Sequence, residues 1–392
     1  MAKKTSTLGN LSENKLIRLS KSCLKDAEKQ AVMRVLDKEF LGMGEQVRIF
    51  EEKLSEFFQR PAVCVVNGTA ALHLALQACE IGQGDEVIVP SITYVASYQA
   101  ITATGATPVA CDVEEDSCCL DIIDAEKRIT DKTKAIMPVH YSGGVGQLDK
   151  IYCIAGKYNL RVVEDAAHAF GTIYNDRKIG SLGDISCFSF DGIKNITSGE
   201  GGCVVTDDNK VLDLIKDARL LGVEKDTDKR FKGDRSWSFD VQKQGWRYHM
   251  SDIMAAIGIE QLKRFDEISS KRMNLADHYN KKLIGNSGFR TLNLDYTKVV
   301  PHIYVVLLNQ GYLREKIIDH LKQNGIQAGV HYQPNNLLTY FSEKSLVKGE
   351  AFQVTDRVAN KLLTLPLHED LSNEQLEFVV NKFKEAINTY GS

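Results

Sequence analysis

The chain has 392 residues, 43% of them hydrophobic and 26% charged, with a formal net charge of -3. It is too long for one ordinary hydrophobic core, so two domains are expected, at 1–265 and 266–392, in a composition ordinary for a soluble globular protein. The near-neutral charge offers no basic surface to nucleic acid and no polybasic segment to a membrane, and no apolar run approaches the ~20 residues that span a bilayer.

Met1 to Asn14 is polar and carries no apolar signal core. Asp26 to Phe40 has the helical period, and a second helix carries Val47, Phe50, Leu54 and Phe57. From Pro61 short apolar runs alternate with helical segments. Strands are predicted at Val63–Val66, Val87–Val89, Thr107–Cys111, Ala135–Val139, Leu160–Val163 and Cys203–Thr206. Helices are predicted at Thr69–Cys79, Tyr94–Thr104, Leu148–Tyr158 and Asn209–Leu220. Apolar strands alternating with helices imply an α/β fold with a mostly parallel sheet covered on both faces. Glu224 to Asp234 is dense in charge and predicts a mobile surface loop. One long helix starts at Ser251. A smaller α+β C-terminal domain is expected from strand Ile303–Leu308, helix Leu313–Asn324, strand Ile326–Val330 and helix Asn373–Thr389. The nine cysteines are odd in number and form no C-x-x-C pair. Free thiols in a reducing cytosol fit that usage, and no metal site is expected.

In an open α/β sheet, ligands bind beyond the carboxyl ends of the strands, so the loops there hold the chemistry. Asn67 to Ala71 opens a helix after the first sheet strand. It is either a well-capped helix start or an anion seat made of backbone N–H groups. Glu164 and Asp165 end an apolar strand, where acids are costly without a cationic partner; that partner is either a salt bridge or a protonated ring nitrogen. Tyr94 follows another strand and serves either core packing or a flat ring. The apolar run Ile185 to Phe190 stops at Asp191-Gly192. Lys194 follows, and then Gly199, Gly201 and Gly202. A lysine in so apolar and glycine-rich a place can lose hydration and drop its pKa, as a Schiff-base lysine requires. A phosphate seat, an aromatic platform, an acid for a ring nitrogen and a lysine together are what pyridoxal 5'-phosphate needs.

Four ordered stretches carry a family resemblance: N-G-T-A-A-L-H-L-A-L from Asn67, G-D-E-V-I-V-P-S-I-T-Y from Gly84, V-E-D-A-A-H-A-F-G from Val163, and F-S-F-D-G-I-K-N-I-T-S-G-E-G-G from Phe188. With M-S-D-I-M-A-A-I-G at Met250 and G-V-H-Y at Gly329, the chain resembles the DegT/DnrJ/EryC1/StrS family of nucleotide-sugar aminotransferases along nearly its whole length. The resemblance implies a fold type I transferase with a seven-stranded sheet, working as a homodimer whose active sites are completed by the partner chain. It implies that Lys194 binds the cofactor, that Asp165 pairs with the pyridine nitrogen, and that His168 lies on the ring hydroxyl side. Tyr94 would stack on the ring, while Gly68, Thr69, Ala70 and Ser189 would hold the phosphate. His331, Tyr332 and Asp191 would face substrate.

The chain departs from the family pattern in three places. Arg247 stands where the family has an Asn that reaches the partner's cofactor phosphate, and a guanidinium suits that role. Asp191 replaces a common His, and Tyr141 to Gly144 replaces a common L-Y-G. The implied reaction moves an amino group from L-glutamate to the keto group of a nucleotide-linked sugar, first among them a 4-keto-6-deoxy sugar. The setting would be cytoplasmic synthesis of aminosugars for cell-surface polysaccharide such as lipopolysaccharide O-antigen. Amination at C3 or of a cyclitol, and a cofactor-binding regulator on the same fold, are the alternatives. Lys194 itself argues against the related sugar 3-dehydratase, which carries His there.

Overall fold

The computed structural model describes residues 16–234, 237–344 and 352–391; the polar start Met1 to Asn14 lies outside them. The strands are β1 (Ala62–Val65), β2 (Glu86–Pro90), β3 (Thr107–Cys111), β4 (Thr133–Ile136), β5 (Arg161–Asp165), β6 (Ile173–Tyr174), β7 (Arg177–Lys178), β8 (Ile185–Ser189), β9 (Gly202–Thr206), β10 (Phe289–Thr291), β11 (Tyr304–Leu308) and β12 (Leu362–Leu365). Seven of them form one sheet in the order β1-β9-β8-β5-β4-β2-β3. Every pairing from β8 through β5, β4 and β2 to β3 is parallel, and β9 runs antiparallel to both its neighbours. All strands but β9 therefore point the same way, and their carboxyl ends share one edge.

The continuous apolar runs follow from burial on both faces. Successive side chains of a strand point to opposite sides. Along β1, Ala62 and Cys64 pack with Val47, Phe50 and Leu54 of the helix Glu45–Phe58, while Val63 and Val65 pack with the helix Gly68–Ala78 on the other side. β10, β11 and β12 form a separate antiparallel sheet. Its core joins Val306 and Leu363 to Leu275 and Tyr279 of the helix Phe265–Leu283 and to Val380 and Phe383 of the helix Asn373–Tyr390. The cysteines are free thiols, and Cys153 is the exposed one. No helix among the described residues is long and apolar enough to cross a membrane.

Three sequence expectations need correction. The helix expected to run on from Ser251 is two, Asp252–Lys263 and Phe265–Leu283. The break falls at Arg264, whose guanidinium is drawn to Glu28 at 2.9 Å and Glu369 at 2.8 Å. Within Glu224 to Asp234, Asp226–Phe231 is a helix rather than loop. An i,i+4 ion pair joins Arg230 to Asp226, and the buried Thr227 donates to Lys216 O at 3.2 Å, so one face of this short helix is seated while Glu224, Lys225, Asp228, Lys229 and Lys232 stay exposed. Ile326 to Val330 is not a strand. It makes single bridges, Ile326 with Ile17 and Gly329 with Thr364, and the third strand of the small sheet is β12.

One close approach holds the binding edge together. A Cβ on Gly202 would sit 2.6 Å from the backbone carbon of Asn67, because β9 begins directly under the turn that leaves β1. Both neighbours there are backbone and cannot rotate aside. Replacing Gly202 with Ala should destabilise the fold by about 1–3 kcal/mol, read as a lower urea midpoint with unchanged slope. An unchanged midpoint would show that the turn has room to yield.

Candidate active site

The site grows from the strand ends. After β1, Asn67 caps the helix Gly68–Ala78, its Oδ1 accepting the Ala70 N–H at 2.8 Å. The amides of Gly68 and Thr69 in the first turn have no intrahelical acceptor, and such a terminus attracts anions. Gly68 is required by contact: a Cβ there would lie 2.8 Å from the Cβ of Ser189, the last residue of β8. The helix start and the Ser189 hydroxyl thus stand side by side. Ala70 is buried and does not line the cleft, and its amide is committed to the cap.

Asp165 closes β5 and is buried. Its Oδ2 accepts the Ser97 hydroxyl at 2.7 Å and its Oδ1 the Ala167 N–H at 3.2 Å. Ser97 lies 2.8 Å from the Thr93 hydroxyl, so the carboxylate is held from the loop after β2. Strand alternation separates the two acids that the sequence places together. Glu164 is bound instead by His140 Nε2 at 2.7 Å and the Tyr152 hydroxyl at 2.6 Å.

Lys194 sits in the turn between β8 and β9. Its N–H donates to Asp191 O at 3.0 Å, and Phe190 N donates across the turn to Gly201 O at 2.7 Å. Asn195 pins the next residue through Phe170 O at 3.2 Å and Val300 O at 3.1 Å. Burial lowers the Lys194 pKa to about 8; the Asp165 and Asp191 carboxylates oppose that and Arg272 adds to it. The amine is therefore partly free base near neutrality, as a nucleophile or proton carrier must be. Arg272 is itself fully enclosed, which lowers its pKa to about 10. It spends its donors on Pro301 O at 3.4 Å, His302 O at 3.2 Å and Lys194 O at 3.4 Å.

The opposite wall comes from the segment after Gly329, which a single bridge ties to Thr364 of the small sheet. The His331 ring bonds Thr364 Oγ1 at 2.9 Å, and the Tyr141 hydroxyl donates to His331 O. Tyr332 reaches His168 Nε2 at 3.2 Å, and the Ser142 N–H points at His168 Nδ1 at 3.4 Å. That pattern assigns the proton to Nε2. Burial first, then the Lys194 and His331 charges, push the His168 pKa well below its ordinary value, so the ring is neutral. Tyr94 is 56% exposed at the mouth, its ring centroid 5.6 Å from that of Tyr332. It belongs to no core cluster and lines the cleft.

Gly68, Thr69, Tyr94, Asp165, His168, Ser189, Asp191, Lys194, His331 and Tyr332 line this one cleft of ≈ 320 Å³. Arg247 does not: it is exposed and outside the lining. The sequence reading missed His302, Ser97, Thr93, Glu200 and Arg272. Ser97 was within reach, being one helical turn after Tyr94 on the helix Val95–Ala103. His302 was the one polar side chain entering the apolar run of β11. Nothing in the sequence marks Arg272, whose partners are backbone carbonyls.

The donor set fits pyridoxal phosphate. A helix terminus and a serine hydroxyl could seat a phosphate, the glycine cradle would be filled by any Cβ, and a buried carboxylate shares the cleft with a desolvated lysine. Labelling the cofactor-free protein with a limiting amine reagent across pH, read by peptide mass spectrometry, should give a midpoint near pH 8 for Lys194. Surface lysines should titrate near ~10.4. A Lys194 midpoint among theirs would refute its desolvation.

Comparison with known proteins agrees with this geometry. The DegT/DnrJ/EryC1/StrS aminotransferase family matches residues 22–384. The spore coat polysaccharide biosynthesis protein SpsC of Bacillus subtilis is 34% identical over 366 residues, covering 92% of this chain and 94% of SpsC. The putative sugar aminotransferase Spr1654 of Streptococcus pneumoniae, solved in its PMP form, superposes with a TM-score of 0.88 at 31% identity, covering 96% of this chain and 98% of that one. Helicobacter pylori PseC, an aminotransferase of pseudoaminic acid biosynthesis, gives 0.89 at 28% identity, covering 96% of this chain and 100% of PseC. The chain belongs to the DegT/DnrJ/EryC1/StrS aminotransferase family, and it is a pyridoxal phosphate-dependent aminotransferase.

Proposed function

We propose that this aminotransferase takes its amino group from L-glutamate and gives it to the keto group of a nucleotide-linked sugar, a 4-keto-6-deoxy sugar in the first place. The product would be an aminosugar for cell-surface polysaccharide, made in the cytoplasm. The observation that carries the chemistry is the meeting of Lys194, Asp165 and the Gly68–Ser189 seat in one cleft. The sugar acceptor is supported by the relatives, one named for spore coat polysaccharide, one as a sugar aminotransferase and one for pseudoaminic acid.

Each side chain has a task that its geometry suits. The amides of Gly68 and Thr69 and the Ser189 hydroxyl would bind the phosphate. Asp165, fixed by Ser97 and Ala167, would hold the ring nitrogen protonated. When bound, pyridoxal phosphate supplies the electron sink that makes loss of the donor's α-proton accessible. Lys194 would take that proton at Nζ and return it, on the same face, to the neighbouring carbon that lacks it, a role worth roughly 10²–10⁴-fold in rate. His168 and Tyr332 would orient the ring edge, and Tyr94 would cover its face. Asp191 and Glu200 at the mouth offer acceptors to sugar hydroxyls. Burial, and then the Asp191 charge, raise the Glu200 pKa.

Lys194 is the only Lys or Arg among the described residues lining the cleft. Substrates with carboxylates and phosphates call for more, which supports a homodimer in which Arg247 of a second copy completes the site. Replacing Arg247 with Ala should weaken cofactor retention in dialysis by on the order of ten-fold; unchanged retention would leave Arg247 without that role. A panel of nucleotide-linked keto sugars with glutamate, read by mass spectrometry and product assignment, should show amination at C4. Turnover confined to 3-keto sugars or cyclitols would reverse the choice of acceptor.

A further inference from the structure

His302 lies just before β11 and is fully enclosed. Its Nε2 is 3.4 Å from Lys194 Nζ, and its ring centroid is 4.4 Å from that of His168. Its Nδ1 is buried without a partner among the described residues. The backbone carbonyls of His302 and Lys194 bind the same Arg272 guanidinium, so the spacing of the two residues is set by one rigid group.

We propose that His302 is a positioning residue for the proton-carrying amine, its Nε2 accepting an N–H bond from Lys194. This rests on the reading of Lys194 as that amine. When Lys194 Nζ takes the donor's α-proton it becomes an ammonium with three N–H groups, and one of them points to Nε2. The other two are thereby directed into the cleft, where the proton is delivered. His302 keeps its own proton count throughout. Burial and the Lys194 charge push its pKa well below the ordinary histidine value, so the ring accepts a hydrogen bond and does not take the proton.

The groups facing Lys194 come from several elements: Asp165 from β5, Asp191 from its own turn, Arg272 from the helix Phe265–Leu283, and His168, His302 and His331 around the cleft. Of these, His302 alone is within hydrogen-bond reach of Nζ. Its removal should therefore be visible on the amine itself, before any substrate is added.

The test is H302L, which keeps an apolar side chain, beside H302Q, whose carbonyl reaches toward the Nε2 position. In the cofactor-free protein the labelling midpoint of Lys194 should fall by about one pH unit in H302L, since an ammonium loses its acceptor, and stay near the native value in H302Q. In the loaded enzyme kcat should fall on the order of ten-fold in H302L with KM little changed, and H302Q should restore most of it. A native midpoint in H302L, or one that rises because water enters, would overturn the proposal, as would H302Q behaving like H302L. If H302L does not fold, H302Q is compared with H302N, whose shorter carbonyl misses Nζ; equal midpoints would count against the proposal and a lower one in H302N for it. The labelling arm does not involve the acceptor, so a wrong sugar assignment leaves it intact.

Discussion

Desolvation of one lysine is the constraint around which the fold is arranged. An ammonium is expensive away from water, so a chain that must keep Lys194 there cannot do so on an ordinary surface loop. The single antiparallel strand provides the place. Because β9 returns beside β8, the two are joined by the loop 190–201 rather than by a crossover helix, and that loop lies on the edge where all other strands end. Lys194 is thus enclosed by the ends of β5 and β8 below and by the approach to β11 above. Its backbone is tied to Arg272, and the following Asn195 is bonded to two further segments.

The same edge explains why the groups around Lys194 are backbone, neutral side chains and carboxylates, with no second cation lining the cleft among the described residues. The proposed phosphate seat is a helix terminus and a hydroxyl, and the histidines around Lys194 are held neutral by burial. A second fixed cation beside Nζ would depress the amine further, and Arg272 already contributes in that direction. Its guanidinium is turned to carbonyls behind the turn, where it organises the backbone instead of binding a ligand.

How much of this was legible depends on what kind of interaction made each part. β1, β2, β3 and β8 could be read because burial on both faces writes an uninterrupted apolar run. Lys194, Gly68 and Asp165 could be read because each breaks such a run at its carboxyl end. Ile326 to Val330 misled for the same reason: it is apolar but makes only single bridges, while Leu362–Leu365 owes its place to pairing with β11, a distant segment. Glu224 to Asp234 misled because an exposed charged stretch reads alike whether it is a loop or a short helix seated by one buried pair, Asp226 and Thr227. His302 and Arg272 act through groups more than twenty-five residues away in sequence, and local pattern holds no trace of that.

These long-range contacts also show what the smaller sheet contributes. Segments beside it bring His302, His331 and Tyr332 to a cleft whose other walls come from the larger sheet; His302 is held from behind by Arg272, and His331 by Thr364 and by Tyr141. A side chain held on both sides of its backbone keeps its ring where a reacting atom needs it, and geometry of this kind is what positions substrates for proton transfer. Lys194 is therefore set by the large sheet, while the direction of its N–H groups is, as proposed, set by His302 at the approach to β11. The two sheets meet in a shared core, where Ile303, Val305 and Leu307 of the β11 segment pack with Ile92, Val113 and Tyr141 of the larger unit, so the approach to β11 and the loops of the large sheet hold their spacing together.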